Sequence, residues 1–172
     1  MNRRNYLLAA ALVAALAGCA TPAGPVAIAV LSPTTGNNTS GMVRFAQQPN
    51  GRVLVSGEIS GLKSYGEHGF HVHEKGDCSS GDGNSAGGHF NPNGQPHGHE
   101  SGPHHAGDLQ SLRADASGVA RFSFESSGIS VGPGVADVVG RGLIVHRDPD
   151  DYTTQPTGNS GPRLACAVIV RG

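Results

Sequence analysis

Gly69-Phe70-His71-Val72-His73-Glu74 decides how the rest of the chain is read. Side chains alternate across an extended strand, so Phe70 and Val72 point to one face, toward a core. His71 and His73 stand two residues apart on the opposite face. That geometry suits one metal ion. The stretch from Gly69 to Asp108 holds seven of the nine histidines of the chain. The later ones sit in Gly87-Gly88-His89-Phe90-Asn91-Pro92, in Pro96-His97-Gly98 and in His105-Ala106-Gly107-Asp108, a Gly/Pro-rich region with nothing to bury. Long segments without periodic structure are functional or disordered, and a string of imidazoles with a carboxylate argues for folding around metal.

Working outward, 172 residues allow one domain of ordinary size. Tryptophan is absent, Gly and Pro are abundant, and no helical apolar periodicity follows the first twenty residues, which predicts an all-β domain. A formal charge of −1 offers no basic surface for nucleic acid. Strands are predicted over Val26–Leu31, Gly41–Gln47, Val53–Glu58 and Glu67–Glu74 before the histidine-rich loop. After it come Asp108–Arg113, Val119–Phe124, Arg141–His146 and Arg163–Val170. Pro49-Asn50-Gly51 and Asp115-Ala116-Ser117-Gly118 are turn signals. In Arg141–His146, Leu143 and Val145 are expected in the core, with Ile144 and His146 on the other face. Eight short strands suggest a sandwich or flattened barrel.

The N-terminus follows a different logic. Arg3 and Arg4 precede an apolar run from Leu7 to Leu16, and Leu16-Ala17-Gly18-Cys19 follows at once. This resembles a bacterial lipoprotein signal cleaved before Cys19; an ordinary secretory signal or a membrane anchor would be the alternative, but the run is short for a bilayer span. The expected organisation is a signal over residues 1–18, a tether over 19–25 and one domain over 26–172. The expected address is extracytoplasmic, in the periplasm or cell envelope, with lipidated Cys19 in the membrane. Cys78 and Cys166 are then an even pair in an oxidising space and read as one disulfide, against the alternatives of free thiols or thiolate ligands.

Taken in order, Gly69-Phe70-His71-Val72-His73-Glu74, Gly87-Gly88-His89-Phe90-Asn91-Pro92, His105-Ala106-Gly107-Asp108, Val145-His146 and Gly161-Pro162-Arg163-Leu164-Ala165-Cys166 resemble a secreted bacterial copper–zinc superoxide dismutase, the match running from about Val26 to the C-terminus. The resemblance implies an eight-stranded antiparallel Greek-key flattened barrel, akin to an immunoglobulin-like sandwich, with long metal-binding and channel loops. It implies one copper per subunit on His71, His73, His89 and His146, and one zinc on His89, His97, His105 and Asp108, with His89 bridging. Imidazole suits both metals, and a carboxylate in the second set favours zinc.

The reaction implied is disproportionation of superoxide to dioxygen and hydrogen peroxide by copper redox cycling, protecting the cell envelope. His89 and Arg163 are the implied catalytic residues, Arg163 as an anion guide. Asp150 matches the carboxylate that joins a copper-ligand and a zinc-ligand histidine through their outer N–H groups. His97 and His105 are chosen over His99 and His104 by their spacing from His89 and Asp108. His68, out of phase with His71 and His73, is expected to bond backbone. The segment between His146 and Arg163 has no lysine, so steering is expected to rest on Arg163. Monomer and homodimer both stay open. A copper carrier would need neither a bridging His89 nor Arg163, and an adhesive module would need no histidine array.

Overall fold

A computed structural model describes residues 24–172; the expected signal, Cys19 and most of the expected tether lie outside the described residues. The strands are β1 (Val26–Pro33), β2 (Ser40–Gln47), β3 (Val53–Ser60), β4 (Glu67–His68), β5 (Phe70–His73), β6 (Leu112–Arg113), β7 (Ala120–Ser126), β8 (Gly142–His146), β9 (Arg163–Val168) and β10 (Val170–Arg171). The main sheet has eight strands in the order β5-β8-β9-β1-β2-β3-β7, with β10 also on β1, and β4 pairs with β6. These pairings are all antiparallel.

β1 serves both halves of this curled sheet. Val26 to Leu31 pair with β2, whereas Ser32 and Pro33 pair with β9. The chain leaves the β1-β2-β3 meander for β5, returns to place β7 beside β3, and crosses again to place β8 beside β5. Such non-sequential neighbours are the Greek-key pattern of a flattened barrel. Alternation fills the interior: Val43, Phe45, Val53, Val55, Phe70, Val72, Leu143 and Val145 are buried in one core. Phe70 meets Phe122 edge-on at 5.5 Å, joining the two halves. Each such side chain contributes about 1.5–3 kcal/mol on burial.

Four expectations are corrected. Glu67–Glu74 is not one strand, because Gly69 spends its backbone elsewhere: its N–H donates to Asp148 and its carbonyl accepts from His146. β4 therefore pairs with β6 and β5 with β8. The last strand likewise breaks at Ile169, whose backbone bonds Gly140 and Arg141. Asp108–Arg113 is strand only at Leu112–Arg113. The histidine-rich loop does bury apolar groups, since Ala86, Phe90, Ala106 and Leu109 are all buried. Their spacing follows no single period because they dock from an irregular backbone onto the edge of β5.

Candidate metal centre

β5 is an edge strand, and the loop uses that edge. Val72 donates to the carbonyl of Gly107 (2.9 Å) and accepts from Phe90 (2.8 Å), while Gly107 donates to Phe90 (2.9 Å). A Cβ at Gly107 would collide with the Val72 carbonyl, so glycine is what lets the two backbones meet. This docking sets His73 opposite His89 and His71 opposite Asp108 in bridge geometry. The histidines and aspartate of the loop are thereby carried to the strand's histidine face, and the otherwise unpaired edge is covered.

His146 arrives from β8. The β8–β9 ladder shifts register between Val145 and His146, so Val145 faces Ala165 but His146 faces Arg163. An irregularity of this kind re-aims side chains, and here it sets the last histidine opposite the only arginine of β9.

Two groups of side chains converge, all buried: His71, His73, His89 and His146, and His89, His97, His105 and Asp108. Within each, one ligand atom per residue lies within 4.8 Å of the others. His89 belongs to both. Its Nδ1 is 2.8 Å from Asp108 Oδ1, while its Nε2 is buried without a hydrogen-bond partner. His71 stacks on His89 with ring centroids 4.0 Å apart.

The outward nitrogens are tied down. Nδ1 of His73 donates to Gly87 O (3.0 Å) and Nδ1 of His146 to Gly161 O (3.1 Å). Protons fixed there leave both Nε2 atoms as lone pairs, and these face each other at 3.4 Å. His71 Nε2 and His97 Nε2 donate to the two oxygens of Asp150, at 2.7 and 2.9 Å. The inward Nδ1 of His71 has no hydrogen-bond partner, and that of His97 lies 3.0 Å from Asp108 Oδ2. Around His71, His73, His89 and His146 the lone pairs converge with no proton between them, which is what a cation would satisfy. Four imidazoles suit copper, and three with a carboxylate suit zinc, so the residues fit both metals.

The charges agree. Burial pushes His71 down to about 4 and holds His73 and His146 well below the usual histidine value, keeping these rings in the neutral form that ligates. His97 differs: burial acts to lower it, but the carboxylates of Asp108 and Asp150 outweigh that and lift it to about 9, so it holds a proton that a bound cation would displace. Asp108 and Asp150 stay below the carboxylate range, because the histidines on them overcome the upward push of burial.

Several contributors were invisible in the sequence. Gln155 clamps His97 by its backbone, accepting from its N–H (2.8 Å) and donating to its carbonyl (2.9 Å). Tyr152 N–H donates to Asp150 Oδ1 (2.7 Å). Gly158, with φ 64°, leaves the space in which Asp150 meets His97. None of the three sits in a motif quoted above; each acts on a partner far along the chain or through its backbone.

Cys78 and Cys166 form a disulfide that ties the loop after β5 to β9. His68 is buried, with Nδ1 donating to the carbonyl of His146 (2.9 Å). His99 and His104 belong to neither group; their ring nitrogens bond Ser101 and Gly102 beside them. Arg163 lines a cavity of about 500 Å³ with His73 and His146 at its base.

Comparison with known proteins accords with this arrangement. The family model of copper/zinc superoxide dismutase (SODC) matches residues 39–169, and the chain belongs to that family. It is 43% identical over 150 residues to a protein of Paramecium bursaria Chlorella virus 1 named superoxide dismutase (Cu-Zn), the match covering 83% of this chain and 76% of the viral one. Among solved structures, one titled as the clock protein EA4 superposes with a TM-score of 0.76 at 42% identity, covering 84% of this chain and 93% of that one. The chain is an oxidoreductase of the superoxide dismutase class, with copper and zinc as its metals.

Proposed function

We propose that His71, His73, His89 and His146 hold the copper, that His89, His97, His105 and Asp108 hold the zinc, and that Arg163 guides superoxide to the copper side. The observation that carries this is the position of His89, with one ring nitrogen turned to each group. When bound, copper supplies one-electron redox chemistry and zinc a fixed positive charge. The residues do the rest. Arg163 gives the cavity a local positive field that favours a small anion. His89 offers Nε2 as a ring atom able to carry a proton. Asp150 keeps His71 and His97 in one orientation from outside.

Anomalous scattering at the copper and zinc edges tests the assignment. One ion on each side of His89 is expected; an ion that His89 does not touch would overturn it.

The working address is extracytoplasmic, anchored by lipid on Cys19. Two observations support it: Leu16-Ala17-Gly18-Cys19 follows an apolar run, and the domain holds a disulfide, which persists in oxidising compartments. The role that follows is protection of the cell envelope. Cys19→Ser should move the protein from the membrane to the soluble fraction, and a variant that stays in the membrane would refute lipidation there.

Association as a homodimer is supported by one face of the sheet. Val30 and Met42 oppose each other across β1 and β2 at 64% and 56% exposure, and Val170 opposes Ile28 beside them. A second copy presenting the same patch would bury this row by two-fold symmetry. Sedimentation of wild type and Met42→Glu checks it: a dimer that Met42→Glu dissociates is expected, and a wild-type monomer at high concentration would exclude it.

A further inference from the structure

Arg163 shares its cavity with a charge of opposite sign. Besides the histidines, the charged residues lining the cavity are Asp82 and Arg163, and neither has an ion-pair partner among the described residues. Asp82 lies in the loop between β5 and the buried histidines, immediately before Gly83, whose carbonyl accepts from Arg163 Nη1 at 2.7 Å. Its carboxylate is also held in place. Oδ1 accepts from the Asn84 N–H (2.9 Å) and Oδ2 from Asn84 Nδ2 (2.7 Å). The bond from the Asn84 N–H above all keeps its pKa below the usual value, so it is an anion at neutral pH.

We propose that Asp82 is a specificity-determining residue of the channel, a fixed negative charge that offsets Arg163 and bars multiply charged anions while still admitting a singly charged one. Resting on Arg163 as the anion guide, this adds what that guide is balanced against. Electrostatic energy scales with the charge of the visitor. A penalty that slows a monoanion by a given factor weakens a dianion by the square of that factor. Superoxide carries one charge, whereas sulfate and much of the phosphate at neutral pH carry two. The products, dioxygen and hydrogen peroxide, are neutral and leave without hindrance from either group.

Asp82→Asn is the decisive substitution, since the amide oxygen can still accept from the Asn84 N–H while the charge is gone. In the metal-loaded protein at low ionic strength, Asp82→Asn should raise kcat/KM for superoxide about twofold and tighten sulfate, titrated by calorimetry, about fourfold, as expected for one charge near a channel mouth. Both differences should collapse at about 0.3 M sodium chloride, where screening is short-ranged. Asp82→Glu, which keeps the charge, should show less than half of either change.

Sulfate affinity equal in wild type and Asp82→Asn would overturn the proposal, as would equal effects of Asn and Glu, which would assign the change to the turn. Arg163→Ala separates the two readings. If it keeps the wild-type rate, the guide has failed; if it is slow while Asp82→Asn leaves sulfate binding unchanged, Asp82 alone has failed.

Discussion

The two groups of side chains that meet at His89 are built by different means. His71, His73 and His146 stand on β5 and β8, paired through Phe70–Val145, His71–Ile144, Val72–Leu143 and His73–Gly142. Their relative positions follow from a ladder whose reverse side is the apolar core. His97, His105 and Asp108 stand on irregular backbone, fixed by Gln155, by Asp150, and by Asp108 Oδ2, which accepts from the N–H groups of Gly98 (3.1 Å) and His105 (2.9 Å). One side is positioned by the fold before any ion arrives. The other is positioned by polar tethers to side chains, so metal binding and local order are coupled there.

The strongest way to break this contrast is at the shared residue. His89→Ala should lower dismutase activity by more than about 100-fold and lower zinc content together with copper, since removing even an outer partner of a ligand costs 10–100-fold. Metal analysis beside a superoxide assay reads both; full zinc occupancy in that variant would show that the loop group is complete without His89.

Leu143→Ala strikes the strand side from behind. It should cost about 2–5 kcal/mol in a denaturation curve, as a buried leucine lost to a cavity. Copper affinity in the folded fraction should fall with it more than zinc affinity. Equal losses at the two metals would mean that the ladder does not set the strand group.

Asp150→Asn sharpens the comparison, because Asp150 accepts from His71 on one side and from His97 on the other. An amide can accept from one ring but turns an N–H toward the other, leaving a buried donor unpaired. Zinc affinity should fall about 10–100-fold, with copper affected less because His73 and His146 are anchored on backbone carbonyls. Competition with a chelator of known affinity measures both.

Gln155→Ala is expected to have the smallest effect. Two hydrogen bonds to the His97 backbone disappear, at about 1 kcal/mol each. Faster hydrogen exchange should be confined to the loop around His97, with β5 and β8 unchanged; exchange that also rises in those strands would show that loop and ladder open together.

The same contrast explains what could be read in advance. Alternation in Phe70–His73 and in Leu143–His146 announced both the core face and the histidine face, because period two is all that a strand needs. His97 and His105 could be chosen over their neighbours by resemblance and spacing, and the structure brings those two, not His99 or His104, beside Asp108. The break at Gly69, the burial of Phe90 and Leu109 and the clamp of Gln155 could not be read. Each depends on a partner distant in the chain, such as Asp148 for Gly69 and the carbonyl of His97 for Gln155. A local pattern holds no record of such partners.

Arg163 donates through Nη1 to Gly83 and through Nη2 to Gly87, both at 2.7 Å. A free arginine surrenders considerable rotamer entropy whenever it grips a ligand. This one has surrendered it during folding, so each arriving anion meets a donor fork already in place, and that cost does not recur at every turnover. The bidentate grip on two carbonyls is also beyond the reach of a single ammonium group, which makes lysine a poor replacement even though it preserves the charge.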